Sequence, residues 1–584
     1  MSRAPRRRPA PPALAVCLLA AVCSSAAVPS TARAQAPNGD ASAARDGSVA
    51  QETFFDSLAV HVVNVDVYVT DKKGDPVTGL SRDDFELFED GRPVELSNFY
   101  AVEGDRRRPR ALPPASAPTS PRADPLAAPL AAEPAPEDQR LYLIVYLDNL
   151  FLKPFSRNKV IREVNRFLHF NLDPDDRVML VTFNRTLRVA HPFTTDPELV
   201  IREMEKVETH SALAQQLATE RRLAVERIDR ARDILQAQTH ADSYAKSLHN
   251  DVLASLRGLK ELVGSLGGLP GRKAVLYVSE GLPMTAGEDL FALIDTRFGK
   301  VASSQLMANR YRVRRDFREL VDKANANRVT FYTLDAAGNQ AHQSLSAEYG
   351  RSDASYIEVD FTDDMNRRET LMVMADGTGG RATLGTNNFT EGLERMASDF
   401  DTYYSLGYVP AHQGEGRYHT IEVKVKRRGL QVRHRAGYRD KTLESRVSDG
   451  TLAALLYGAA VNPLDVAIAL GRPRPSDRQG RWLVPIEIRI PLARVALLPR
   501  GEERQGLLRV SVAVLDEDGD TSTPAQEPFP IVVPEAELEQ ARTRHFTYTA
   551  ELLMRRGTHQ LAVGVVDEIG GESSFLREPV RVDG

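Results

Sequence analysis

Several short patterns in this sequence contain the residue types that chemistry needs, and most of them fail on spacing. Gly267-Gly268-Leu269-Pro270-Gly271-Arg272-Lys273 has the glycines and the lysine of a phosphate-cradling loop. Arginine stands where glycine must precede the lysine, however, and the segment enters a strand instead of leaving one for a helix. It reads as a helix stop and turn, as does Gly377-Thr378-Gly379-Gly380. Asp516-Glu517-Asp518-Gly519-Asp520 has the acidic spacing of a calcium loop, without the later glycine and distant glutamate that such a loop requires. A charged hairpin turn accounts for it. The histidines form no H-E-x-x-H, and no G-x-S-x-G elbow occurs; His191 and His545 are expected to be structural or solvent-facing. Leu141 to Leu147 is an unbroken apolar run and Asp148-Asn149 closes it. Open α/β sheets present their ligand sites at the carboxyl ends of strands.

The elements around Asp148 alternate between strand and helix. An all-apolar run predicts a strand buried on both faces, and residues 156–170 predict a helix with Val160, Ile161, Val164, Phe167 and Leu168 on one side. Strands are expected at Arg177–Phe183, Leu187–Ala190, Lys273–Val278, Val329–Leu334 and Arg381–Leu384, and helices from Pro197, over 316–327 and over 390–399. This order predicts a doubly wound, Rossmann-like α/β domain over 140–401. Residues 209–268 enter it as a helical insertion, with Tyr244, Leu248, Val252, Leu256, Leu259, Val263 and Leu266 forming one apolar stripe. The stripe either packs on the sheet or serves as an arm for a partner.

On either side the pattern is all-β. Residues 57–102 alternate, with Val63, Val65, Val67 and Val69 sharing a face. Such a short piece buries little alone, so it is expected to complete its sheet with strands from 402–440. Tyr403, Tyr404 and Tyr408 would supply the core and rim of that unit. Residues 103–139 are a Pro/Ala-rich linker. Residues 445–584 open with a helix, and short strands with Gly/Asp/Pro turns then predict a C-terminal immunoglobulin-like β-sandwich.

At the amino terminus, Arg3, Arg6, Arg7 and Arg8, the apolar run Ala13–Ala21 and Ala32-Arg33-Ala34 predict a signal peptide over 1–34, followed by a flexible leader over 35–56. Cleavage there would remove Cys17 and Cys23, the only cysteines, and with them thiol catalysis and cysteine-ligated zinc. With 75 basic and 80 acidic side chains and no long basic block, nucleic acid is not the expected partner. No later stretch is apolar and long enough to span a bilayer, so the mature chain is expected to be secreted, periplasmic or in the cell envelope.

Residues 141–400 resemble a von Willebrand factor type A (vWA) domain, and 57–438 as a whole resemble the vWA-related proteins of the acidobacterial type. The resemblance rests on VNVDVYVTDKKGDPVTGL (63–80), DDFELFEDG (83–91), DDRVMLVTF (175–183), PFTTDP (192–197), GRKAVLYVSEGLP (271–283), GGRATLGTNN (379–388) and DFDTYYSLGYVP (399–410). It implies a site for a divalent metal at the carboxyl edge of the sheet, built from D-x-S-x-S, a later threonine and a later aspartate. Hydroxyl and carboxylate oxygens suit a hard cation and leave one position for an acidic group of the partner. Asp148 matches the first residue, but leucines 150 and 152 replace both serines. Thr194 or Thr195 stands for the threonine, Glu280 for the aspartate, and Asn149 is a substitute donor. With two oxygens lost, no cofactor is expected beyond weakly held magnesium or manganese. The expected function is a secreted, non-enzymatic binding or adhesion protein that recognises a protein partner near Asp148, Asn149, Thr194, Thr195 and Glu280. The alternatives are an extracellular hydrolase without a familiar motif and a structural component of the envelope. The oligomeric state is left open.

Overall fold

The computed structural model describes residues 62–103, 140–208, 213–299, 302–339, 354–412, 414–478 and 480–583. The expected signal peptide, the leader and the linker from 104 onward lie outside these residues. The chain separates into two compact units, one spanning His61–Leu443 and the other containing Glu444–Gly584.

The first unit begins with β1 (Val63–Thr70), β2 (Phe85–Glu89), β3 (Arg92–Val94) and β4 (Asn98–Glu103). Asp90 and Gly91 both have positive φ, at 48° and 76°, as a two-residue hairpin between β2 and β3 requires. These strands find partners more than 300 residues later, in β11 (Thr402–Tyr408), β12 (Tyr418–Val425), β13 (Gln431–His434) and β14 (Gly437–Arg439). Two antiparallel sheets result, in the orders β13-β1-β11-β4 and β14-β12-β2-β3. They share one core, in which the four alternate valines of β1 meet Phe85, Leu87, Tyr404, Leu406, Tyr408, Ile421 and Val423.

Between β4 and β11 the chain builds a six-stranded sheet from β5 (Leu141–Asp148), β6 (Arg177–Phe183), β7 (Leu187–Thr194), β8 (Arg272–Ser279), β9 (Val329–Asp335) and β10 (Ala382–Thr383). Its order is β10-β9-β8-β5-β6-β7. All pairs are parallel except β6 with β7. This is a doubly wound sheet whose order reverses between β5 and β8, the place where such folds bind ligands. On one face α1 (Pro154–Asn171), α2 (Pro197–Glu208) and α9 (Phe389–Asp401) pack with Leu141, Leu143, Val145 and Leu147. The other helices are α3 (Ala214–Asp229), α4 (Ile234–Ser265), α5 (Glu288–Phe298), α6 (Ala302–Asn309), α7 (Arg314–Ala326) and α8 (Ala354–Gly377). The apolar stripe of α4 is buried, including Leu248, Val252, Leu256, Leu259 and Val263. At Gly258 a Cβ would lie 2.8 Å from Phe183 Cε2, so α4 sits directly on β6. The stripe is therefore used within the unit and is not an arm left for a partner.

Arg272, the residue that spoils the phosphate-loop pattern, starts β8 and joins the two sheet systems. Its guanidinium lies 3.8 Å from the Tyr403 ring, donates to Tyr68 Oη at 3.1 Å and to Phe400 O at 3.2 Å, and faces Asp66 Oδ2 at 3.6 Å. Gly379 serves the same junction, because at its φ of +78° a Cβ would lie 2.6 Å from His434 C at the end of β13.

The second unit starts with α10 (Leu443–Tyr457). One antiparallel sheet contains β15 (Ala467–Leu470), β16 (Arg474–Pro475), β17 (Trp482–Pro491) and β21 (His545–Met554). The other contains β18 (Leu498–Arg500), β19 (Glu503–Leu515), β20 (Ala525–Pro534), β22 (Gly557–Asp567) and β23 (Ser573–Val582). Side chains of both sheets form one core, among them Val484, Ile486, Ile488, Val510, Val512, Leu552 and Val563. Asp516 caps the turn after β19, accepting the N–H groups of Asp518 and Asp520 at 3.2 and 2.9 Å.

Candidate functional site

Asp148 is the last residue of β5, fully buried. Its Oδ2 accepts the Tyr277 hydroxyl at 2.6 Å and the Ser279 hydroxyl at 3.4 Å, both from neighbouring β8, and Oδ1 has no hydrogen-bond partner. Burial pushes its pKa up to about 6 against the pull of the Tyr277 hydroxyl. Leu150, Phe151 and Leu152 are buried as well, so the loop after β5 turns apolar side chains inward where a metal site would need hydroxyls. Asn149 is also buried. Its Oδ1 lies 3.5 Å from Arg157 Nη1, and Arg157 donates on to Glu208 O at 2.8 Å.

Glu280 follows β8 and meets a cation supplied by the chain itself. Lys153 Nζ lies 2.8 Å from Glu280 Oε2, and the Lys153 N–H donates to Oε1 at 3.2 Å. Gly281 lets this turn form. Its φ is +85°, and a Cβ there would lie 2.6 Å from Arg367 O.

Thr194 and Thr195 do not belong to this group. β7 runs on beyond the expected Leu187–Ala190 and antiparallel to β6, so Thr194 pairs with Val178. Val178 pairs with Leu143 near the start of β5, five residues or about 17 Å before Asp148 at strand rise. Thr194 Oγ1 accepts the Asp196 N–H at 3.0 Å and so belongs to the entry of α2. The expected threonine ligand is thus at the opposite edge of the sheet. Together these positions do not fit a magnesium or manganese ion, because Asp148 is sealed, Glu280 is neutralised by Lys153 and the hydroxyl donors are missing.

What the strand ends do form is a cleft of about 130 Å³ at the point where the strand order reverses. Phe151, Lys153 and Glu280 contribute from the sheet loops, Arg221 and Tyr244 from α3 and α4, and Arg367 from α8. An ion network stiffens its wall. Arg221 lies 2.7 Å from Asp289 and 3.2 Å from Asp360, and Arg367 lies 2.9 Å from Asp363. Against the effect of burial, Arg367 and Arg221 hold the Asp363 carboxyl below its usual range. Lys153, Arg221 and Arg367 were not singled out in the sequence, and only Lys153, one residue past the degenerate motif, lay close enough to suggest itself. Among the described residues, one further group of side chains converges as metal ligands do, Glu89, His412 and His419 in the first unit's β-sandwich.

No protein-family profile matches this sequence, and no curated protein matches it. Solved structures similar to parts of it include manganese-loaded TRAP protein from Plasmodium vivax, at 10% identity over 52% of this chain and 94% of that one, with a TM-score of 0.20. BatB from Bacteroides thetaiotaomicron, a conserved hypothetical protein, has 15% identity over 25% of this chain and 70% of its own, at 0.12. Three N-terminal domains of the type V pilus tip protein Mfa5 from Porphyromonas gingivalis have 9% identity over 90% and 78%, at 0.20. Scores this low carry no argument about this chain.

Proposed function

We propose that the chain is an exported, non-enzymatic recognition protein whose vWA-like domain binds a protein partner at the cleft beside Lys153 and Glu280. The observation that carries this reading is the Lys153–Glu280 pair at the strand-order reversal. A fixed ammonium stands beside the carboxylate that vWA resemblance assigns to a metal, and its side chain keeps 36% exposure. It can meet an acidic side chain of the partner without a divalent ion. The signal-like segment at 1–34 supports export, and no helix among the described residues is long and apolar enough to cross a membrane.

A photo-crosslinking side chain at Asp364, on the cleft wall, tests this in cells that make the protein. Capture of one partner, lost in Lys153→Glu and insensitive to added magnesium or manganese, is expected. Unchanged capture by Lys153→Glu would overturn the site, and substrate turnover by the purified mature chain would overturn the non-enzymatic reading.

A further inference from the structure

The β-sandwich of the first unit holds a constellation that the recognition cleft does not use. Glu89 ends β2, His419 lies on β12, and His412 comes from the connection between β11 and β12. A carboxylate oxygen of Glu89 and one ring nitrogen of each histidine lie within 4.8 Å of one another. Glu89 and His419 are 9% and 7% exposed. The two imidazole rings stack with centroids 3.8 Å apart and planes 15° from parallel.

Each of these groups is already oriented from behind. His419 Nδ1 lies 2.8 Å from Asp90 Oδ2, which assigns its proton to Nδ1 and leaves Nε2 as a lone pair. That Nε2 is buried and has no hydrogen-bond partner. Glu89 Oε1 accepts the hydroxyls of Tyr408 and Tyr438, both at 2.7 Å, which leaves Oε2 free to turn inward. His412 Nε2 lies 3.3 Å from that Oε2 and its Nδ1 lies 3.7 Å from Asp440 Oδ2, and both ring nitrogens are buried. Asp440 is itself held by the Glu415 N–H at 2.8 Å.

With its proton on Nδ1, the nitrogen that faces the Asp440 carboxylate, His412 offers the Nε2 lone pair, so the convergent atoms are two imidazole lone pairs and a carboxylate oxygen, all acceptors. One water brings two protons and cannot satisfy three of them. A cation can. Imidazole nitrogen favours a borderline transition ion over magnesium or calcium, and zinc takes two histidines and a glutamate with an open fourth position. Carboxylates behind the histidines and hydroxyls behind the glutamate are the supports such ligands require. Zinc–ligand bonds of about 2.0–2.1 Å would draw the three side chains slightly together. Glu89 and His412 also line a surface cleft with Asp90, Val409 and Ala411.

We infer that Glu89, His412 and His419 form a site for zinc or a similar divalent transition ion, which ties the strand before the vWA-like domain to the strands after it. The test uses the untagged, metal-stripped chain, titrated with zinc against a chelating indicator and with cobalt(II) followed by visible absorption. One equivalent should bind, cobalt should give a visible ligand-field band, and zinc should raise the thermal midpoint. His412→Ala and His419→Ala should each weaken binding about 100-fold and Asp90→Asn about tenfold, whereas His545→Ala, in the other unit, should bind as the parent does. Far-UV circular dichroism shows that each variant is folded. If His419→Ala does not fold, His412→Ala, outside the strands, decides. Absence of zinc and cobalt binding at micromolar concentrations, magnesium binding in their place, or unchanged affinity in folded His412→Ala would overturn the inference.

Discussion

Asp148 keeps a carboxyl group away from water with one oxygen unpaired, and this has a sign-definite consequence for pH. Its pKa is raised from 3.8 to about 6, so the folded chain holds the proton more tightly than the unfolded chain. That contribution is fully present below about pH 3.8, declines between there and pH 6, and is gone above it, a swing of about 3 kcal/mol at 1.36 kcal/mol per unit. Asp148→Asn, which stays neutral, should remove this decline and be more stable than the parent at pH 7.5 by up to that amount. Denaturant unfolding at pH 4 and pH 7.5 checks it, and equal pH dependence of the two proteins would refute it. The sequence made Asp148 visible as the close of an apolar run, and Glu280 visible only through its place in the vWA resemblance. It did not reveal that Lys153 occupies Glu280, since that pair joins residues 127 positions apart.

At the scale of elements, strand periodicity was readable and strand direction was not. The run at Leu187 advertised a strand, but nothing in its composition reports that it returns antiparallel and carries Thr194 to the far edge. Two neighbouring residues in a loop can be read as a site only when the topology is known. Turn geometry makes the same point at Gly281. Gly281→Ala combines a left-handed φ with a backbone oxygen 2.6 Å away and should cost more than about 2 kcal/mol, whereas Gly74→Ala, at φ +91° in open space, should cost about 1–2 kcal/mol. Denaturant midpoints of the two variants separate these cases. Equal losses would show that the turn after β8 can relax.

For the whole molecule, the α/β centre and the flanking β regions follow from periods of 3.6 and 2, and the partnership of 57–102 with 402–440 was suggested by the need to bury a small sheet's face. The Glu89–His412–His419 constellation was invisible because its members become neighbours only when that partnership closes. The two units have separate cores, so calorimetry should resolve two transitions. A chain begun at Glu444 should keep one of them, and a single transition for the full protein would contradict the division.

The register of β4 with β11 sets Glu103 directly opposite Thr402. The α/β domain therefore leaves its host and returns to it at adjacent points, as a guest admitted through a single door. During synthesis the guest can finish folding first, while β1 to β4 wait for their partners to emerge from the ribosome. Excising 104–401 and closing the gap with a two-residue turn should give a miniature sandwich whose strands are contiguous in sequence.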